Sequence, residues 1–116
     1  MRTVGELLLN NGRIYVWFST QELCRHFLKQ AEREGFSFGD GVKPTKRETD
    51  DYLAINPDWT LNYIGLMGRM AFAGAKYMGW GKDRQKIIRI DYAKYISGRR
   101  DYIILLKSAQ ERQHLR

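Results

Sequence analysis

The chain predicts an α+β domain in which a small, mostly antiparallel sheet packs against one main helix. Three features lead to that class. Residues 13–18 alternate, with Ile14, Val16 and Phe18 on one side and Arg13, Tyr15 and Trp17 on the other, which is the period of a half-buried strand. Leu23, Phe27, Leu28 and Ala31 follow at helical spacing, the stripe of a helix with one face on a core. Further short apolar runs at 36–38, 59–64 and 87–90 are set apart by Gly, Asn, Asp and Pro, as strands are set apart by turns. At 116 residues, the chain fits one domain over 1–116. It should bury roughly two-thirds of its unfolded surface, enough for one core without staples.

The elements follow in order. Thr3-x-x-Glu6 is a capping-box pattern ahead of Leu7-Leu8-Leu9, so a short helix is expected over 3–10. Asn10-Asn11-Gly12 stops it, because these residues tolerate the backbone of helix ends and turns. The strand at 13–18 comes next. Ser19-x-x-Glu22 then repeats the capping box and Gly35 closes the helix. Residues 36–38 read as a short returning strand, and Gly39-Asp40-Gly41 turns the chain. Residues 39–58 hold both prolines and few large apolar side chains, so an irregular region is expected, with room for a short helix from Thr45 to Leu53. Strand character resumes at 59–64, with Leu61 and Tyr63 on one face.

Residues 66–78 are ambiguous. A helical stripe of Leu66, Met67, Met70, Ala71, Gly74, Tyr77 and Met78 competes with a strand face of Leu66, Met70 and Phe72. Each interior glycine costs a helix about 1 kcal/mol against alanine, yet the length favours helix. With a helix there, the order becomes the split βαβ of ferredoxin-like domains. With a strand, one main helix covers the sheet. A basic loop over 79–84, a strand at 87–90, a turn of helix capped by Asp91 and an apolar run at 103–106 complete the pass. Residues 107–116 read as a frayed tail.

Composition narrows the function. Hydrophobic residues make up 43% of the chain, which excludes a disordered composition. The single Cys24 rules out an internal disulfide and a cysteine-built zinc site. No apolar run approaches the ~20 residues of a membrane span, so a cytoplasmic protein without a membrane partner is expected.

Charge is split unevenly. Residues 1–58 carry 8 Lys/Arg against 9 Asp/Glu, a net of −1. Residues 59–116 carry 12 against 4, a net of +8. The basic half also holds Trp59, Tyr63, Phe72, Tyr77, Trp80, Tyr92, Tyr95 and Tyr102. Clustered cations attract phosphate or acidic protein, and interleaved aromatics provide stacking surfaces. The candidate contacts to nucleic acid or phosphate are therefore Arg69, Lys76, Trp80, Lys82, Arg84, Lys86, Arg89, Arg99 and Arg100. Lys82, Arg84, Lys86 and Arg89 would align along an extended run. The bland alternative is a solvated basic face over core tyrosines.

Catalytic patterns are not found. Cys24 and His26 lie two apart on a helix, where side chains do not face each other, so they form no nucleophile–base pair. His114 falls in the tail, where nothing orients it. Asp40, Asp50 and Asp51 could in principle bind a hard cation, but adjacent loop acids are more often solvated. Gly81-Lys82 lacks the rest of a P-loop: Lys76 stands where glycine is needed, and Asp83 where Ser or Thr is needed. The expectation is no catalytic residue, no metal and no cofactor. The RNA-recognition signature Lys/Arg-Gly-Phe/Tyr-Gly/Ala-Phe is absent as well.

Three stretches carry a resemblance: 14–20, the run from Phe27-Leu28 through Gly41, and Ile90-Asp91-Tyr92-x-x-Tyr95-Ile96-x-Gly98. In these the chain resembles small accessory proteins of bacteriophages and mobile elements of gut Firmicutes. The resemblance implies a setting, counter-defence of the anti-CRISPR kind, and carries no activity or functional residue. The basic balance argues against DNA mimicry, which needs acidic surface. The expected partner is a nucleic acid or nucleoprotein complex. A sequestered phosphorylated nucleotide and an acidic host protein are the alternatives.

Overall fold

The computed structural model describes residues 2–106. The expected frayed tail at 107–116, with His114, lies outside the described residues. The fold is α+β, built on a six-stranded mixed sheet. Its strands are β1 (Arg13–Trp17), β2 (Ser37–Phe38), β3 (Tyr52–Ile55), β4 (Thr60–Tyr63), β5 (Tyr77–Met78) and β6 (Gln85–Asp91), in spatial order β2-β4-β3-β1-β6-β5. β1 pairs antiparallel with β3 and parallel with β6. β3–β4 and β5–β6 are antiparallel, whereas β2–β4 is parallel.

Three helices accompany the sheet: α1 (Gln21–Glu34), α2 (Leu66–Gly74) and α3 (Tyr92–Ile96). Thr20, one residue later than the Ser19 expected, caps α1, its Oγ1 accepting from the Leu23 N–H at 3.2 Å. Gly35 closes the helix, its N–H donating to the Ala31 and Glu32 carbonyls. The predicted stripe is the buried face. Phe27, Leu28 and Ala31 pack with Ile14, Val16, Leu53, Leu61, Ile88 and Ile90 in one core. Short 3-10 turns stand at Gly5–Leu9 and Pro44–Lys46. The Glu34 carboxylate accepts from the Val4 and Gly5 N–H groups at 2.8 Å each and ties the first turn to α1.

The sheet departs from the expected plan in two ways. First, β3 lies inside the stretch expected to be irregular, and Thr45 starts no helix beyond its 3-10 turn. β3 is the direct partner of β1, and the short Tyr-Leu-Ala-Ile run is buried on both faces, so it lacks the alternation that announces a strand. Second, helices cover both faces. Tyr15, Ala54 and Ile87 point away from α1 and form a second core with Ile64, just before α2, and Ala71 of α2. A ferredoxin-like sheet is antiparallel with its helices on one face, so the parallel β1–β6 pair and the two-sided cover set this topology apart.

One glycine of α2, Gly68, has a packing reason. A Cβ on Gly68 would stand 3.0 Å from the Ile64 Cβ and 3.6 Å from the Tyr15 hydroxyl. The helix can lie this close to the sheet because that side chain is missing. Leu66, Met67 and Met70 turn outward and are exposed, while Phe72 packs against the second core. No helix among the described residues is long and apolar enough to cross a membrane.

Candidate nucleic-acid interface

The basic aromatic half resolves into separate places. Its centre is the β5–β6 hairpin at the edge of the sheet. Tyr77 pairs with Lys86 and Met78 with Gln85, so Tyr77 and Lys86 share one face. Arg84 lays its guanidinium over the Tyr77 ring, 4.2 Å from the centroid, a cation–π contact. Between the strands, Gly81–Asp83 form a 3-10 turn that carries Lys82. Trp80 precedes that turn and is 91% exposed. Lys76, Lys82, Arg84 and Lys86 are exposed as well, and Asp83 is the one acid in the loop.

The loop needs Gly79. Its φ is +88°, and a Cβ there would stand 2.8 Å from the Asp83 carbonyl oxygen. Both the left-handed backbone and the close approach exclude a side chain. The turn that sets Trp80 among the cations therefore depends on a residue with no side chain.

Beside the hairpin, a groove of about 590 Å³ runs along the outer edge of β6, walled by Lys76, Tyr77, Lys86, Ile87 and residues 103–106. Ile103 bridges to Ile90, and the Ile104 N–H donates to the Arg89 carbonyl at 2.8 Å. The groove thus lies between β5 and the 103–106 segment, which share the edge of one strand. Its floor is apolar and its rim cationic.

The remaining predicted residues lie elsewhere. Arg89 alternates to the opposite face from Lys86 and is only 4% exposed. Its guanidinium donates to the Phe72 carbonyl at 2.6 Å, the Ala71 carbonyl at 3.0 Å and the Ala75 carbonyl. These carbonyls stand at and just past the C-terminal end of α2, where helix acceptors run short of intrahelical partners and the dipole favours a cation; the Ala71 carbonyl also accepts from the Ala75 N–H at 2.8 Å. Burial lowers the Arg89 pKa from its ordinary value, but a guanidinium remains charged at neutral pH. Arg89 therefore clamps α2 to β6 and is withdrawn from any partner surface. Lys82 also leaves the extended run, since it sits in the turn.

Arg69 lies on α2 over the start of β3, 2.5 Å from the Asp50 carboxylate and 5.0 Å from the Tyr52 ring. Arg99 and Arg100 follow α3, beyond the other end of β6, and the seven residues of that strand put about 20 Å between its ends. Arg99 donates twice to Asp101, at 2.9 and 2.8 Å. The two ends of the predicted basic surface are thus not contiguous along β6. Tyr77, which the sequence showed only as one aromatic among many, joins the hairpin cluster through cross-strand pairing.

The other polar candidates find local partners. His26 Nδ1 lies 2.8 Å from the Tyr92 hydroxyl. Asp40 pairs with Arg47 and Asp50 with Arg69. Cys24 is fully buried, and burial pushes its thiol above the ordinary value, against a smaller opposing hydrogen bond from the Asp50 backbone. A protonated, enclosed thiol is a poor nucleophile. Native protein should therefore resist Ellman's reagent and react fully in denaturant, and rapid native labelling would contradict the buried placement. No protein-family model, curated protein or solved structure matches this chain.

Proposed function

We propose that this chain is a non-catalytic binding protein that engages nucleic acid, free or in a nucleoprotein complex, through the β5–β6 hairpin. Its setting would be that of a phage or mobile-element accessory factor acting against host defence, as the resemblance in residues 14–20, 27–41 and 90–98 implies. One observation carries the binding reading: Trp80 is 91% exposed among Lys82, Arg84 and Lys86. Solvent exposure of so large an apolar surface is unfavourable for an isolated protein, and a base is a partner that suits both the indole and the surrounding charge. The adjoining groove, apolar below and cationic at the rim, suits a base followed by its phosphate.

Charge and stacking separate in the test. Fluorescence anisotropy with short single-stranded and duplex DNA and RNA at two salt concentrations reads both. Lys82→Ala with Arg84→Ala should weaken binding and reduce the salt slope by roughly one to two units, through lost counterion release. Trp80→Ala should cost about 1–3 kcal/mol and leave the slope nearly unchanged. Lack of binding to every probe at low salt would sink the proposal. Tight binding to an acidic host protein, with charge variants slowing association, would replace it with a protein target.

A further inference from the structure

The net charge of the first half hides a local concentration of cations. α1 and the 43–49 segment enclose a groove of about 540 Å³, within the range of small-molecule sites. Arg25 and Lys29 reach it from one wall, four residues apart and so on the same face of α1. Arg47 reaches it from the other wall, beside Thr45 and Thr49. Glu48 is the single carboxylate of the lining. Lys29 makes no ion pair among the described residues, and Arg25 has a 3.8 Å contact with the well-exposed Glu22 and donates to the Gln21 side-chain oxygen at 3.3 Å. Arg25, Lys29 and Arg47 therefore line one groove; Arg47 is paired with Asp40, and Arg25 and Lys29 have little carboxylate to neutralise them.

The walls are pinned. Glu32 accepts from both the Thr45 N–H, at 3.1 Å, and the Thr45 hydroxyl, at 2.7 Å. These bonds lower the Glu32 carboxyl below its ordinary range, so the pin is in place at neutral pH and loosens as pH falls through that lowered value. On the far side, the Tyr63 hydroxyl donates to the Glu48 carbonyl at 2.5 Å, and Arg47 is steadied by Asp40 and by the Phe38 ring. A groove lined by guanidinium, ammonium and hydroxyl groups has the chemistry of phosphate recognition.

We propose that this groove binds a small ligand bearing adjacent phosphoryl groups, at a site separate from the hairpin. Arg25 and Lys29 would take the phosphate oxygens, Arg47 beside its Asp40 partner would add a third cation, and the Thr49 hydroxyl would fix orientation, the Thr45 hydroxyl proton being given to Glu32. The inference does not depend on nucleic-acid binding by the hairpin.

Calorimetric titration with pyrophosphate, ADP and adenosine tests it, with circular dichroism as a control for folding. Pyrophosphate or ADP should bind at micromolar to low-millimolar concentration, and adenosine should not. Binding of both phosphates means that free diphosphate suffices; binding of ADP alone means that the groove also reads the nucleoside. Arg25→Ala with Lys29→Ala should weaken binding at least tenfold. Both positions are exposed on α1 and alanine is the best helix former, so this variant should fold. Lys82→Ala with Arg84→Ala should leave the affinity within twofold. No binding of either phosphate at millimolar concentration, equal binding of adenosine, or loss only in the hairpin variant would overturn the assignment.

Discussion

Phe27→Ala should destabilise the protein by about 3–5 kcal/mol. Phe27 has no exposed surface and lies where α1 meets the sheet. Its ring stands 5.1 Å from Phe18 and 5.4 Å from Tyr92, the latter edge to face. Truncation removes both aromatic contacts and leaves a cavity between elements that three different segments hold in place. Neighbours cannot collapse into it without moving α1 or α3. Urea denaturation should show the loss as a lower midpoint with an unchanged slope. A change below 1 kcal/mol would mean that the α1 stripe is not the core face.

The second large effect is expected at Arg89. Arg89→Met keeps an apolar stem between the sheet and α2 but removes the charge. The Phe72 and Ala75 carbonyls then lose their donor at the end of a nine-residue helix, and the Ala71 carbonyl keeps only the Ala75 N–H. Hydrogen bonds from a charged donor are worth about 1.5–3 kcal/mol each, and the three are not additive because water can reach part of the site. A loss of about 2–4 kcal/mol is expected, with faster amide exchange in α2 than in α1. Arg89→Lys should recover only part of it, since an ammonium lacks the planar fork that spans several carbonyls. The nucleic-acid salt slope should stay as it is, in contrast to the hairpin double variant. Unchanged stability and unchanged exchange in α2 would show that the clamp does not hold the helix.

Arg89 also marks the boundary of what a linear reading can reach. Its place among alternating cations suggested an outward-facing side chain, yet strand parity puts it on the side of Ile87, and that side is covered by α2. Alternation assigns residues to two faces of a strand but does not say whether one of them meets solvent. The same limit hid the second core: Arg13, Tyr15 and Trp17 read as an open face, but Tyr15 is 2% exposed under α2.

Local chemistry was legible where a few neighbouring residues decide the outcome. The strand expected at 13–18, the helix that follows, its buried stripe, the strand expected at 87–90 and the Asp91 cap depend on periodicity and short-range hydrogen bonds, and all five stand in the fold, the strands as Arg13–Trp17 and Gln85–Asp91. Long-range pairing decided the rest. β3 is a strand because β1 and β4 supply its hydrogen-bond partners, and α2 is a helix because Gly68 and Ala71 fit against the sheet. The exposed hairpin retains Lys76, Trp80, Lys82, Arg84 and Lys86 of the expected surface because those residues are close along one turn of chain. Arg69, Arg89, Arg99 and Arg100 parted from it, and Arg25, Lys29 and Arg47 came together elsewhere. Charge along a chain is additive, but proximity in space is set by which strands pair and which faces the helices cover.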